Sequence, residues 1–279
     1  MVINESIGKS IIKEWNVSFK DYILYALGVG TAMEKNNLRF IYEKDLQIIP
    51  SFASLAYNLT DENPYMQVVK DHLGMLHASN ELEILHPFPS AGGRLKFRQT
   101  LADVYDMGDK GAQFVSVTEV FSEDGTLLSR AKDIEFARGE GGFGGKPRPA
   151  DTFPVIPDRD PDVYRKDRIP DGQYYLFRLC GDYYPLHADP EFARAYGFKA
   201  PIMHGLATYG YACRMAMEEL FPGEAERMTS IKGRFKNPVY AGVQIGLKIW
   251  RDGAGRALWQ LVDESTGRIV IDKGEICWK

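Results

Sequence analysis

Cysteine is scarce in this sequence: 279 residues hold three, Cys180, Cys213 and Cys277. They are far apart, odd in number, and form no C-x-x-C pair. That excludes a disulfide framework and a cysteine-based structural zinc site, and a reducing, cytoplasmic location is expected. All three read as small buried hydrophobes. Basic residues are not in excess either: 34 Lys and Arg stand against 38 Asp and Glu, a formal net charge of -4. Binding to a phosphate backbone normally shows as a basic excess, so no nucleic-acid partner is expected. No apolar run approaches the roughly 20 residues that span a bilayer. The opening Met1-Val-Ile-Asn-Glu-Ser lacks the charged-then-apolar order of a secretory leader, and the last residues are not a Ser-Lys-Leu address. A membrane partner is therefore not expected.

What is present is enough chain for two domains of about 140 residues each. The composition, 44% hydrophobic and 26% charged, is that of an ordinary globular protein. Residues 1–138 and 173–279 read as two globular halves. Between them, 139–172 opens Gly-Glu-Gly-Gly-Phe-Gly-Gly and then carries Pro147, Pro149, Pro154, Pro157, Pro161 and Pro170. Glycine frees the backbone and proline forbids helix and central strand, so an extended crossing linker is expected. Residues 139–144 also spell G-x-G-x-x-G. A dinucleotide fingerprint must open a helix, whereas Lys-Pro-Arg-Pro follows here. No nicotinamide or flavin cofactor is implied.

In the second half, Tyr174–Leu179 reads as an apolar strand. Asp189-Pro190-Glu191 is a helix start: an N-cap acid, proline at the first helical position, then an acid that the dipole favours. A longer helix should run from Gly205 to Leu220, because Leu206, Gly210, Cys213, Met217 and Leu220 make one stripe at helical spacing. Four strand-like runs follow: Ser230–Lys236, Val243–Trp250, Ala257–Val262 and Ile269–Trp278. One helix and a long antiparallel meander are the ingredients of a curved sheet wrapped around a central helix, a hot dog. The first half repeats the plan, with a helix over Asp21–Ala32 and strands near Met75–Leu85, Arg94–Asp106, Ala112–Phe121 and Leu127–Ala137. The fold class expected is α+β, a double hot dog, with the two sheets joined through edge strands.

Chemistry concentrates in Leu179-Cys-Gly-Asp-Tyr-Tyr-Pro-Leu-His-Ala-Asp-Pro190 and Pro201-Ile-Met-His-Gly-Leu206. Asp182 and His187 flank a tight turn, so both side chains can enter one cleft. A carboxylate beside an imidazole fixes its tautomer and lets the pair move a proton near neutral pH. Gly205 begins the long helix, where its N–H is an orphan donor at the positive end of the dipole. Such a donor can hold an oxyanion, and the missing Cβ permits close approach.

Gly181-Asp182-x-x-Pro185-Leu186-His187-x-Asp189-Pro190 resembles the hydratase-2 motif of the MaoC-like family, and His204-Gly205-Leu206 resembles its downstream partner. Tyr25-Ala-Leu-Gly-Val-Gly30, Phe40-Ile-Tyr-Glu43, Gly141-Gly-Phe-Gly-Gly145 and Lys232-x-Arg234-Phe-x-x-Pro238-Val-Tyr-x-Gly242 resemble the hydratase unit of the eukaryotic peroxisomal multifunctional enzyme. The likeness implies a double hot dog that hydrates trans-2-enoyl-CoA to (R)-3-hydroxyacyl-CoA without metal or cofactor. It places the catalytic pair on Asp182 and His187 and the oxyanion glycine on Gly205. It also implies an acyl-CoA partner, with the N-terminal half housing the acyl chain, and admits a homodimer.

The sequence departs from that family at Tyr184, where Asn is usual and helps hold the water. Pro185 restricts the backbone, which favours the phenol pointing inward with its hydroxyl standing in for the amide; swung away, it would open space for a branched or cyclic acyl group. Glu43 and Phe143 fall in matched segments and are substrate-binding candidates, although an exposed carboxylate explains Glu43 equally well. Lys232 and Arg234 share one strand face with Lys236, which suits either solvent or coenzyme A phosphates. His204 is a lesser candidate for substrate contact and reads better as fixing the helix start. His72, His77 and His86 have no metal-ligand spacing. The rival readings are a hot-dog thioesterase and a dehydratase or binder for a bulky or branched acyl-CoA.

Overall fold

The computed structural model describes residues 2–31, 37–60, 62–70 and 75–279. The N-terminal half runs α1 (Val2–Ser6), β1 (Ser10–Ser18), α2 (Phe19–Gly28), α3 (Leu38–Ile41), a 3-10 segment (Pro50–Tyr57), then β2 (Met75–Ile84), β3 (Gly92–Asp106), β4 (Ala112–Phe121) and β5 (Leu127–Ala137). The C-terminal half runs β6 (Val163–Arg168), α4 (Gln173–Phe177), α5 (Pro190–Ala195), α6 (Gly205–Leu220), then β7 (Met228–Phe235), β8 (Gln244–Arg251), β9 (Arg256–Asp263) and β10 (Arg268–Trp278). Among the described residues, no helix is long and apolar enough to cross a membrane. His72 and Ala32, the last residue of the first helix expected, lie outside the described residues.

All ten strands form one sheet in the order β1-β3-β4-β5-β2-β7-β10-β9-β8-β6. The order is one five-strand pattern written twice and turned about the β2–β7 seam, where antiparallel partners run from Ser79↔Arg234 to Glu83↔Ser230. The molecule is a double hot dog. Joining the halves there removes one exposed edge from each sheet. At the outer edges stand β1 and β6, which alternate half-buried and exposed positions and carry Lys13, Glu14, Arg165, Lys166 and Asp167. Charge on an edge discourages pairing with another chain.

Helix α6 is the axis of the C-terminal half, and twelve of its residues from Leu206 to Met217 are buried. Its stripe includes Gly210, where a Cβ would lie 2.4 Å from Val29 Cγ1 and 2.7 Å from the Tyr25 hydroxyl. The glycine lets α6 meet the end of α2 closely, and any side chain there would overpack the crossing by about 1–3 kcal/mol. The N-terminal half has only the ten-residue α2, with Tyr22, Tyr25, Ala26 and Val29 all buried as expected. The rest of its axis is the 3-10 segment Pro50–Tyr57, every residue of which is buried.

Three local expectations need correction. Tyr174–Leu179 is helical, not a strand. Gly172, at φ 76°, turns the chain into α4, and Gln173 Nε2 then donates to the carbonyls of Leu27 (2.7 Å) and Gly28 (2.8 Å) at the end of α2. A short apolar run has too little periodicity to choose between helix and strand, and this tertiary anchor decides it. The irregular stretch between the halves is shorter than its composition suggests, because β6 lies inside 139–172 and pairs with β8. Cys213 is buried, whereas Cys180 and Cys277 are only half-buried.

The glycine-rich run does bind an anion, the chain's own. Amides of Gly142 (2.7 Å), Gly144 (2.8 Å), Gly145 (3.3 Å) and Gly108 (2.8 Å) converge on the Asp106 carboxylate. Those bonds hold its pKa below the ordinary carboxylate value. Phe143 packs from this loop onto the second apolar cluster, around Leu101, Val104 and Phe114.

Candidate active site

A cavity of about 1150 Å³ opens between the two halves. One side is the turn after α4. Gly181, at φ 120°, reverses the chain, and Pro185 starts the 3-10 turn Pro185–His187. The Asp182 carboxylate then closes an Asx turn by accepting the Tyr184 amide on Oδ1 at 3.2 Å. Its other oxygen, Oδ2, accepts the Asn58 side-chain amide at 2.8 Å.

His187 is oriented by the loop before α6. Nδ1 lies 2.9 Å from the Ile202 carbonyl oxygen. A carbonyl only accepts, so Nδ1 carries the proton and the neutral ring keeps its lone pair on Nε2. Burial pushes the His187 pKa below 6.5, while the Asp182 charge partly opposes that shift. The imidazole therefore waits in its basic form at neutral pH.

His204 lies behind the pair. It is fully buried, its Nε2 is 3.2 Å from the Asp182 backbone oxygen, and its ring stacks on His187 with centroids 3.9 Å apart and planes at 26°. Burial, then the neighbouring His187, push its pKa well below 6.5. It holds the turn and the helix start together and does not line the cavity. Ligand-type atoms of Asp182, His187 and His204 fall within 4.8 Å of one another. Two of the ring nitrogens there are already engaged, His187 Nδ1 by the Ile202 carbonyl oxygen and His204 Nε2 by the Asp182 carbonyl oxygen.

Gly205 is the first residue of α6 and lines the cavity. The first intrahelical amide bond belongs to Ala207, to the His204 carbonyl at 3.1 Å, so the Gly205 amide is one of the helix's orphan donors. The atoms nearest a Cβ built there belong to Phe235, at an ordinary 3.5 Å. Packing does not demand this glycine, and the space beside it belongs to whatever enters the cavity.

Tyr184 lines the same cavity but does not turn inward as expected. Its hydroxyl hydrogen-bonds the Tyr196 hydroxyl, and its ring meets Phe192 edge-on at 5.6 Å. With 39% of its surface exposed, it forms part of the mouth. The aromatic pair on α5 and its C-cap captures the phenol; Pro185 fixes only the backbone that follows.

The other candidates lie elsewhere. Glu43 is exposed and, like Phe143, is not on the cavity wall. Lys232 pairs with Glu275 at 3.0 Å, and Arg234 takes Asp151 with both guanidinium ends at 3.0 and 2.9 Å. Phe153 lies under both cations, so this face clamps the irregular stretch to β7. Lys236, paired with Asp272 at 2.9 Å, is the member of that row that reaches the cavity. Sequence reasoning missed Asn58 and a polar wall from the N-terminal half, comprising Tyr57, Asn63, Tyr65, His77, Gln113 and Glu135.

Both halves of the chain match known families. The MaoC like domain matches residues 152–273, and the MFE-2 hydratase 2 N-terminal domain matches residues 15–139. The chain is 36% identical over 248 residues to enoyl-CoA hydratase ChsH3 of Mycobacterium tuberculosis, covering 86% of this chain and 85% of that one. It is 34% identical over 265 residues to the mouse peroxisomal multifunctional enzyme type 2, covering 91% of this chain but 35% of the mouse protein, about a third of its length. Among solved structures, a MaoC-like dehydratase from Phytophthora capsici superposes with a TM-score of 0.89 at 28% identity, over 99% of this chain and 97% of that one.

Proposed function

The chain belongs to the MaoC-like family, in the two-unit form that joins a hydratase 2 N-terminal domain to a MaoC-like domain, and on that premise we propose that it hydrates trans-2-enoyl-CoA to (R)-3-hydroxyacyl-CoA. The observation that carries the reading is the Asp182–His187 pair at the cavity wall. Its carboxylate is held by Asn58 and the Tyr184 amide, and its imidazole is fixed by Ile202 with Nε2 bare.

In this mechanism a water is gripped between the Asp182 carboxylate and His187 Nε2. Its oxygen bonds to C3 of the enoyl thioester as its proton passes to the pair. Electrons of the C2–C3 double bond move onto the thioester oxygen, where the Gly205 N–H stabilises the enolate. The same pair then returns one proton to C2, so that hydrogen and hydroxyl add from one side. Which of the two holds the proton at each stage is a property of the pair. The cavity volume exceeds the several hundred Å³ typical of small-ligand sites, as a long acyl thioester requires.

The test is an absorbance assay with crotonyl-CoA and a longer enoyl-CoA, combined with a thiol reagent and chiral analysis of the product. Loss of the conjugated enoyl band with (R)-3-hydroxyacyl-CoA formed and no free thiol is the expected result. Release of coenzyme A without hydration identifies a thioesterase and overturns the proposal.

A further inference from the structure

The Asn58 amide that meets Asp182 is itself held from behind. Asn58 caps the 3-10 segment Pro50–Tyr57, which at eight residues is long for a helix type whose hydrogen bonds are poorly aligned. The end of such a segment needs anchors outside its own backbone, and Tyr57 supplies them. Its carbonyl accepts Gln99 Nε2 from β3 at 3.2 Å, and its phenol oxygen lies 2.8 Å from Glu135 Oε1 on β5. Its ring stacks on His77 of β2, with centroids 5.4 Å apart and planes at 24°. The next residue along the chain then sends its Nδ2 to Asp182 Oδ2 at 2.8 Å.

The groups behind the phenol are costly to bury. Glu135 and Asp133 are both buried, and His77 stands between them, Nε2 at 2.9 Å from Asp133 Oδ1 and Nδ1 at 3.9 Å from Glu135 Oε1. Burial opposes a charge on His77, yet Glu135 and Asp133 push its pKa up to about 9. Burial also raises the pKa of Glu135, against the opposing pull of His77 and the Tyr57 hydroxyl. The contact with Tyr57 stands in either protonation state. An ionised Oε1 accepts the phenolic proton, and a protonated carboxyl keeps one oxygen that accepts it. Replacing such buried charges by well-packed apolar residues is often neutral or stabilising, so stability alone does not call for them. What they give is one fixed place for the Tyr57 hydroxyl.

We propose that Tyr57 is a positioning residue of the reaction: gripped by Glu135, its hydroxyl sets the end of the 3-10 segment so that the Asn58 amide stays on the Asp182 carboxylate. The inference rests on the hydratase reading, because Asp182 is the acid–base carboxylate of that reading. Tyr57 and Glu135 also line the cavity, so direct contact with substrate is the rival role. The two roles move different constants. Loss of a positioning bond falls on kcat, and it vanishes once residue 58 has no amide to place. Loss of a substrate contact falls on KM, whatever stands at position 58.

The experiment is a double-mutant cycle on crotonyl-CoA, with kcat and KM measured for wild type, Tyr57→Phe, Asn58→Leu and the double variant. Tyr57→Phe should lose about three- to tenfold in kcat, the size of one hydrogen bond, and leave KM within about twofold. Added to Asn58→Leu, it should cost less than about twofold, as expected of two residues that act through one contact. Glu135→Leu should lose as much as Tyr57→Phe, and Glu135→Gln, which keeps an oxygen for the phenol, should recover most of that loss. Should Tyr57→Phe fail to fold, Glu135→Leu takes its place in the cycle. Full additivity, a loss confined to KM, or wild-type kcat in the folded variant overturns the proposal. Should no enoyl-CoA be hydrated at all, the hydratase reading fails by itself. NMR of asparagine-labelled protein then decides this inference through the Asn58 side-chain amide signal, assigned by its absence in Asn58→Leu. Movement of that signal toward a free amide in Tyr57→Phe supports it, and an unmoved signal overturns it.

Discussion

Asn58 Nδ2 donates to Asp182 Oδ2 at 2.8 Å, across the boundary between the two halves and across 124 positions of chain. The N-terminal half thus holds in place half of the acid–base pair proposed above. A hydrogen bond to a charged group is worth about 1.5–3 kcal/mol, or roughly 10–100-fold in rate if it is fully expressed in the transition state. Asn58→Leu should therefore lower kcat by about one to two orders of magnitude and change KM little. Asn58→Gln, which restores an amide one methylene away, should recover part of the loss. An Asn58→Leu enzyme with wild-type kcat would show that the Tyr184 amide alone suffices to hold the carboxylate.

The pair itself predicts more. Asp182→Asn and His187→Ala should each reduce kcat by about 10²–10⁴ with the fold retained. Near-wild-type turnover in either folded variant removes that residue from the chemistry. The acid limb of the rate profile carries the sign of the His187 shift. The proposed mechanism needs the neutral imidazole, and burial lowers its pKa from 6.5. Hence kcat/KM should hold level as pH falls to 6.5 and decline only below it. A limb centred above 6.5 would mean that the Asp182 charge outweighs burial and that the ring is cationic at rest.

Gly205 separates a ligand requirement from a packing one. The nearest neighbour of an added Cβ is Phe235, at 3.5 Å, and its backbone is ordinary helix. Gly205→Ala should leave Tm within a few degrees of wild type, because alanine is the better helix former. In the proposed mechanism the methyl group nonetheless stands where the thioester oxygen approaches the amide, so kcat/KM should fall by about tenfold or more. Loss of stability in parallel with activity would instead make the glycine a packing residue. Gly210→Ala is the control: its Cβ would lie 2.4 Å from Val29, and it should destabilise the fold.

These contrasts follow what was legible in the amino-acid pattern. Helix α6 shows its full length because its stripe faces one core and Pro222-Gly223 ends it sharply. The strands β2–β5 and β7–β10 are visible because each buries at least one continuous face. Edge strands β1 and β6 are not, since each buries almost nothing and reads as charged loop. Asp182 and His187 were legible through a compact motif on one local turn, and Gly205 through a second short motif at the start of a helix. Asn58 sits at the end of a 3-10 segment without a motif, and its role exists only once the halves are packed. His77 and Glu135 likewise become neighbours through the β2–β5 register, which one sequence does not display.

Tyr184 is the position where expectation and structure part, and the outcome can be measured. Its hydroxyl is engaged by Tyr196 and its ring by Phe192, both on or beside α5, and 39% of its surface is exposed. What reaches the Asp182 carboxylate from this residue is its backbone amide, at 3.2 Å from Oδ1, and that contact survives any side-chain change that keeps the turn. Tyr184→Phe should then leave kcat on crotonyl-CoA within about twofold, the range usual for a partly exposed substitution. Tyr184→Asn removes the ring from the mouth, so its effect should fall on KM for long acyl chains rather than on kcat. Had the phenol held the water, phenylalanine would be the worse of the two, because it keeps the bulk and deletes the hydroxyl. Steady-state constants for both variants on a short and a long enoyl-CoA decide between these orders. A loss of tenfold or more in kcat for Tyr184→Phe alone would mean that the tyrosine leaves Tyr196 and turns inward when substrate is bound.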